Sequence, residues 1–107
     1  MKKKNQLQKK DLKPALLEKI NHYESLTRQA LAKAKICVET DSALYSIAVD
    51  FKEMANAYFQ DGLHFKKQGD LLTGLAALSY AHAWLDAGAR LGFFNVEKDN
   101  KLFTLYK

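Results

Sequence analysis

Three side chains that are able to bind ions or transfer protons recur at four-residue intervals: His82, Asp86 and Arg90. Residues four apart lie on the same face of an α-helix, so the three form one polar strip there. A histidine and a carboxylate at this spacing are able to share a metal ion, and an arginine binds phosphate or carboxylate bidentately. No histidine, cysteine or glutamate lies nearby in the sequence to serve as a third metal ligand. The ordinary alternative is a solvated series of i,i+4 polar pairs. The strip therefore predicts a weak ligand site, more suited to an anion than to a metal, on the side of the helix away from its apolar residues.

A second polar pair, Asp61 and His64, lies one helical turn apart in the segment before this strip. If the two segments are antiparallel helices, Asp61 lies about 6 Å along the axis from His82. We therefore include Asp61 among the candidate ligand-binding residues. Its commoner role is to accept a hydrogen bond from a tyrosine hydroxyl, and Tyr58 and Tyr80 are both close in this arrangement.

Catalysis is not expected from these groups. General acid and base work requires shifted pKa values in a cleft, and a small helical bundle offers few clefts. The sequence contains no glycine-rich phosphate loop, no cysteine and histidine cluster at zinc spacing and no nucleophile elbow. We expect a protein that is not an enzyme, with no cofactor and no metal.

The segments that must position these residues are three helical patterns, each with apolar residues three and four apart. The first is predicted to begin near residues 11–14, with Pro14 in its first turn, and to end by residue 39. The second begins after capping residues 40–42, and Gly69 and Asp70 then stop it and cap the third, which ends at residue 92. A connection this short requires antiparallel neighbours. The spacing predicts an all-α, three-helix up-and-down bundle.

The positive charge of the chain is confined to its beginning. The net charge is +5, and residues 1–13 hold six lysines and one aspartate, so the remainder is neutral. The lysines are Lys2, Lys3, Lys4, Lys9, Lys10 and Lys13. We expect residues 1–12 to be a flexible, disordered basic arm, and weak, sequence-independent binding of nucleic acid by this arm is the alternative function. Aromatic residues lie among the apolar positions and not among these lysines, which argues against a stacking surface for single strands.

Length and composition indicate one domain of 107 residues with a packed core and 48% hydrophobic residues. We expect a bundle over residues 13–92 and an apolar C-terminal strap over residues 93–107. The strap is predicted to cover a groove of the bundle or a second subunit, because an isolated hairpin of this size is marginal in water. Cys37 has no cysteine to pair with and is expected to be a small buried residue. No apolar stretch reaches membrane-spanning length, so a cytoplasmic protein without membrane contact is expected.

Residues 58–92 carry a family resemblance. The run Trp84 to Gly92, Trp-Leu-Asp-Ala-Gly-Ala-Arg-Leu-Gly, together with Gly69-Asp70 and Leu102-Phe103-Thr104, resembles the archaeal family called domain of unknown function 357. Ala83 stands where glycine is expected in many relatives. The resemblance implies a three-helix bundle similar to the immunoglobulin- or albumin-binding-domain type in a cytoplasmic archaeal protein. It implies no activity.

A non-catalytic protein-interaction or self-association module is the function that the sequence favours. The third helix has more apolar circumference than two helical neighbours need, and the second carries an additional apolar row, which consists of Tyr45, Val49, Phe59 and Leu63. Exposed apolar patches of this kind mark partner-binding sites. We expect this row to be the interaction surface, with another protein or a second copy in a homodimer as the partner.

Overall fold

The computed structural model describes residues 2–97, 99 and 101–103, and the side chains of this set from residue 12 onward. Helix α1 is Lys2–Lys33, α2 is Ala43–Lys67 and α3 is Leu71–Arg90, and two short strands, β1 at Lys35–Ile36 and β2 at Phe94–Asn95, pair antiparallel. The predicted all-α three-helix bundle is confirmed. Helices α2 and α3 form an antiparallel hairpin, and α1 packs along one side of it.

The helix boundaries around the hairpin follow from side chains and glycines that the sequence identifies. Ser42 caps α2, because its hydroxyl oxygen accepts a hydrogen bond from the Leu44 N–H at 3.1 Å. Asp70 caps α3 in the same way through the Thr73 N–H at 3.3 Å. Gly69 between the helices has φ of 85°, a left-handed conformation that glycine adopts without a steric penalty.

Helix α1 is longer at its beginning and shorter at its end than predicted. It begins at Lys2, so residues 2–12, which were predicted to be a separate arm, belong to the helix, and Pro14 lies inside it. Lysine, glutamine and leucine, which dominate this segment, are good helix formers, and Pro14 does not mark the start of the helix. The helix ends at Lys33 because the next residues form β1 against β2.

Two apolar clusters form the core on either side of the middle of the bundle. The first surrounds Ile20, Phe59 and Leu78, at the place where α2 and α3 cross closely through Gly62 and Gly74. A Cβ on Gly62 would lie 2.7 Å from the Leu78 side chain, so the absence of a side chain there permits the close approach. The second cluster lies near the end of α1 and contains a set of residues from the three helices and the strap: Ala30, Ala34, Ala48, Ala55, Leu85, Phe93, Phe94, Val96 and Phe103.

The C-terminal strap folds onto its own chain. Phe94 and Phe103 are buried, and β2 pairs with β1 instead of forming a hairpin within the strap. Cys37 is exposed, which makes its predicted burial wrong; its N–H and S–H donate to the carbonyl oxygens of Phe93 and Gly92. Residues 104–107 of the strap lie outside the described residues. None of the helices in the described part of the chain combines the length and the apolar character needed to cross a membrane.

Candidate functional site

His82 lies at the junction of α1, α3 and the strap. Its Nδ1 lies 3.2 Å from the hydroxyl oxygen of Thr27 on α1, and its Nε2 lies 2.6 Å from the carbonyl oxygen of Leu102. Thr27 is fully buried, and it is the one buried polar side chain among the residues whose burial is described. His82 therefore faces the interior of the molecule, and the prediction that it lies on the outer side of α3 is wrong.

The partners of His82 determine which of its nitrogens carries the hydrogen. A carbonyl oxygen only accepts hydrogen bonds, so Nε2 must be protonated to bind Leu102. In the neutral imidazole Nδ1 is then an acceptor, and the Thr27 hydroxyl donates to it. Both nitrogens are engaged in holding parts of the fold together. A metal ion or a proton-transfer step at His82 would have to displace one of these hydrogen bonds.

The structure does not bring all the other members of the predicted ligand site to this junction. Asp86 is half-buried, and its carboxylate oxygen lies 3.9 Å from His82 Nε2, an ion pair only when the imidazole is charged. Arg90 is exposed one turn further along, and both it and Asp86 have partners in the structure. Asp61 is exposed on α2 and takes no part in the hydrogen bonds of His82. Within the described residues no three histidine, cysteine, aspartate or glutamate side chains are grouped as metal ligands.

A second group of charges holds the strap to the end of α1. The Lys33 ammonium lies 2.9 Å from Asp99 and 3.4 Å from Glu97. The hydrogen bond from Lys33 lowers the pKa of the Asp99 carboxyl, and main-chain N–H groups of Leu102 and Lys101 lower it further. The same contact raises the pKa of Lys33. These charges have a role in fixing the strap, and their mutual pairing explains the shifts without any ligand.

The side of the hairpin opposite α1 carries exposed apolar residues, and we call it the outer face. Thr27 and Ile20 of α1 contact the other side of α3, at His82 and Gly74. The outer face comprises Leu44, Ile47, Phe51, Met54 and Tyr58 of α2, Tyr80, Ala83, Trp84 and Ala87 of α3, and Leu91, the C-cap residue of α3. Four of these are large and exposed, with exposed fractions of 49% for Leu44, 44% for Ile47, 61% for Tyr80 and 61% for Leu91.

A shallow groove between α2 and α3 runs along the outer face. Its lining is almost entirely apolar and consists of Phe51, Tyr80, Ala83, Trp84 and Ala87. The aromatic rings pack on one another across the groove: Phe51 meets Trp84 edge to face with ring centroids 4.9 Å apart, and Tyr58 stacks on Tyr80 at 5.1 Å. Rings fixed in this way present apolar surface at little cost in conformational entropy, which favours binding.

The predicted interaction row does not coincide with the outer face. Phe59 is 3% exposed, lies in the core and is covered by the Arg28 guanidinium 5.0 Å from its ring centroid. Tyr45, Val49 and Leu63 are half-buried. Phe59 faces α1 and not solvent, so it is wrong as an interaction residue. The apolar residues at 44, 47, 51, 54 and 58 have the same three-and-four spacing in the sequence as a row that packs in the core.

The basic segment extends past the end of the hairpin as part of α1. Leu12 and Leu16 lie beside Gly69 and Leu72 at the turn between α2 and α3. Residues 2–11 therefore continue beyond that turn for about 15 Å, at 1.5 Å per residue. At about 100° per residue, five of the six lysine positions fall within roughly 120° of the helix circumference: 2, 3, 9, 10 and 13. The segment is a basic helical projection on a neutral bundle.

The comparisons with known proteins identify a family without an assigned activity. The family model described as Protein of unknown function (DUF357) matches residues 22–94, which is more than half of the chain. No curated protein and no solved structure matches. The matched segment contains most of the bundle, the outer face, and His82 with Thr27, and it stops before Leu102 and most of the strap. By this match, the chain belongs to the family Protein of unknown function (DUF357).

Proposed function

We propose that this protein is a non-catalytic interaction module that binds another protein, or a second copy of itself, through the outer face. The observation that carries the proposal is the exposure of Leu44, Ile47, Tyr80 and Leu91 around an apolar groove on a single side of the hairpin. Scattered apolar residues are normal on a surface, but a contiguous patch with aromatic anchors marks a partner site. A location in the cytoplasm and an archaeal source, which the resemblance implies, belong to this proposal.

The chemistry of the polar groups supports a role without catalysis. His82 is the best-placed candidate for proton transfer, and both of its nitrogens are committed to Thr27 and to the main chain at Leu102. Among the described residues no buried side-chain nitrogen or oxygen lacks a hydrogen-bond partner. Catalytic and ligand-binding sites usually keep such groups available in a concave pocket.

Two variants that place a charge on the outer face test this proposal. Tyr80→Glu and Ile47→Glu each introduce a carboxylate at an exposed position, so the fold is expected to be retained while association is lost. Leu17→Glu is the matched control, because Leu17 is 43% exposed on α1, away from the outer face. Wild type and the three variants are each immobilised, and the proteins that each one retains are compared. A second copy of the chain is one of the proteins tested. Partners that bind equally well to all four proteins, or no partner at all, would contradict the proposal.

A second candidate function is nucleic-acid binding by the basic helical projection. It is favoured by the concentration of lysine positions on one side of a helix that extends beyond a neutral bundle. If six lysines neutralise phosphates, log affinity falls with log salt concentration with a slope of about −5. Deletion of residues 2–13, which removes all six lysines, is expected to abolish binding to a duplex or to single-stranded RNA. Binding that survives this deletion with the same salt slope would place the contact elsewhere.

A further inference from the structure

We propose that the outer face pairs with the same face of a second copy, so that α2 of each chain packs on α3 of the other around a two-fold axis parallel to the helices. This inference rests on the proposed function and specifies its partner. The resulting assembly is a four-helix bundle of two hairpins, with the two α1 helices on its outer sides. An isologous pair of this kind requires a face that is complementary to itself.

The apolar residues of the outer face meet that requirement. On α2 the outward positions are large, with Ile47 and Met54 seven residues apart. On α3, Ala83 and Ala87 are small and lie four residues apart, between the large and exposed Tyr80 and Leu91. Large side chains of one helix pack into spaces above small residues of another, as in coiled coils. One chain thus carries both complementary halves, and a rotation that places α2 over α3 brings them together twice.

The contacts within the hairpin give the height of each residue along the assembly. Phe51 lies level with Trp84, and Tyr58 with Tyr80, because their rings are in contact. Residues of α2 and α3 are therefore level when their numbers sum to about 137. A rotation about an axis parallel to the helices leaves these heights unchanged. By the same rule, Met54 of one copy lies over Ala83 of the other.

The charges at the edges of the face are complementary in this arrangement. Asp50 is exposed on the outer edge of α2, and Arg90 is exposed on the outer edge of α3, within one helical turn of the same height. The rotation places Asp50 of each copy beside Arg90 of the other. Arg90 also has a partner in its own chain, so this is an additional contact for its five N–H donors.

The charges also distinguish between the two possible two-fold axes in the plane of the face. An axis perpendicular to the helices would stack α2 on α2. The exposed carboxylates Asp50 and Asp61 of one chain would then lie along those of the other. Like charges brought together across an interface are unfavourable. The charge pattern therefore selects the axis parallel to the helices.

Charge reversal, measured by sedimentation equilibrium of the full chain, tests the pairing. Wild type is expected to be dimeric. Asp50→Arg or Arg90→Asp alone is expected to raise the dissociation constant of the dimer on the order of tenfold or more, because each places like charges together twice. The double variant D50R/R90D restores the opposite charges and is expected to return the constant close to the wild-type value. Lys19→Asp, an exposed charge reversal on α1, is the control and is expected to have no effect. Circular dichroism establishes that each variant is folded.

Each remaining outcome decides a different point. A wild-type monomer at every concentration overturns the dimer. If wild type in that case retains another protein and Tyr80→Glu does not, the proposed interaction function stands with a different partner. If wild type retains no such protein, the proposed function falls as well. If wild type is a dimer and D50R/R90D does not return the dissociation constant close to the wild-type value, the parallel axis is overturned. Cysteines at both positions, Asp50→Cys and Arg90→Cys, are introduced into a Cys37→Ser chain. The result that supports the parallel axis is a disulfide between two copies of this chain that neither cysteine variant alone forms.

Discussion

Replacement of Gly88 by alanine is expected to destabilise the protein, although alanine is the better helix former. Gly88 lies inside α3 under the ring of Phe94, and an added Cβ would lie 2.2, 2.7 and 2.9 Å from three ring carbons, against 3.4 Å or more for an ordinary contact. The ring would have to move by roughly 1 Å to relieve this overlap. Phe94 is 3% exposed and belongs to β2, which is paired with β1, so the ring has little room to move.

The expected magnitude combines two opposing effects. Alanine in place of glycine in a helix contributes about 1 kcal/mol of stability. Insertion of a methyl group into a packed core costs typically about 1–3 kcal/mol, and the overlap at Gly88 puts the cost at the upper end. We therefore expect Gly88→Ala to lower the free energy of unfolding by about 1–2 kcal/mol. For a domain of this size that corresponds to a fall in the melting temperature of roughly 4–8 °C per kcal/mol.

A double-mutant cycle separates the overlap from other causes. Phe94→Leu removes the ring carbons nearest the new methyl group, so Gly88→Ala is expected to be neutral or stabilising in that background. The coupling between the two sites is expected to be about 1–3 kcal/mol, measured by urea denaturation followed at 222 nm. A Gly88→Ala protein at least as stable as wild type, or the same loss in the Phe94→Leu background, would refute the packing of the strap against α3.

Three further predictions concern the strap and the turn. His82→Ala leaves the buried Thr27 hydroxyl without its partner and is expected to lower the free energy of unfolding by about 1–3 kcal/mol. Thr27→Val leaves the half-buried imidazole able to reach water and is expected to lower it less. Thermal melts that reverse this order would contradict the hydrogen-bond assignment. The pKa of Asp99 is lowered, so its contribution to stability is present above its ordinary pKa near 3.8 and is lost as the pH falls through the lower folded-state pKa. The pKa of Lys33 is raised, so its contribution is present below pH 10.5 and is lost as the pH rises through the higher folded-state pKa. Stability titrations of wild type and of Asp99→Asn are expected to differ above pH 4 and to converge at lower pH. Gly69→Ala introduces a side chain at φ of 85° and is expected to lower the free energy of unfolding, measured by urea denaturation, by about 1 kcal/mol. An unchanged denaturation midpoint would show that the turn tolerates a right-handed main-chain conformation at this residue.

The sequence alone determined the hairpin and its ends. Ser42, Gly69 and Asp70 act within a few residues of their own position, because a cap or a left-handed turn depends only on local main-chain geometry. The three-and-four spacing of apolar residues likewise predicted three helices, and the short connection at Gly69 and Asp70 predicted that the second and third are antiparallel. The family resemblance, carried mainly by residues 84–92, was also available from the sequence.

Only the tertiary structure decided which face of each helix is covered and what the polar residues do. The spacing of apolar residues on α2 is the same for the core and for the outer face, so spacing alone does not show that Phe59 is buried and Ile47 is exposed. His82 has a polar neighbour at i+4 in the sequence, but its partners Thr27 and Leu102 are 55 and 20 residues away. The strand at residues 35–36 depends in the same way on residues 94–95. Contacts between distant parts of the chain leave no local periodicity, and for this protein they place His82 in the hydrogen bonds that join α1, α3 and the strap.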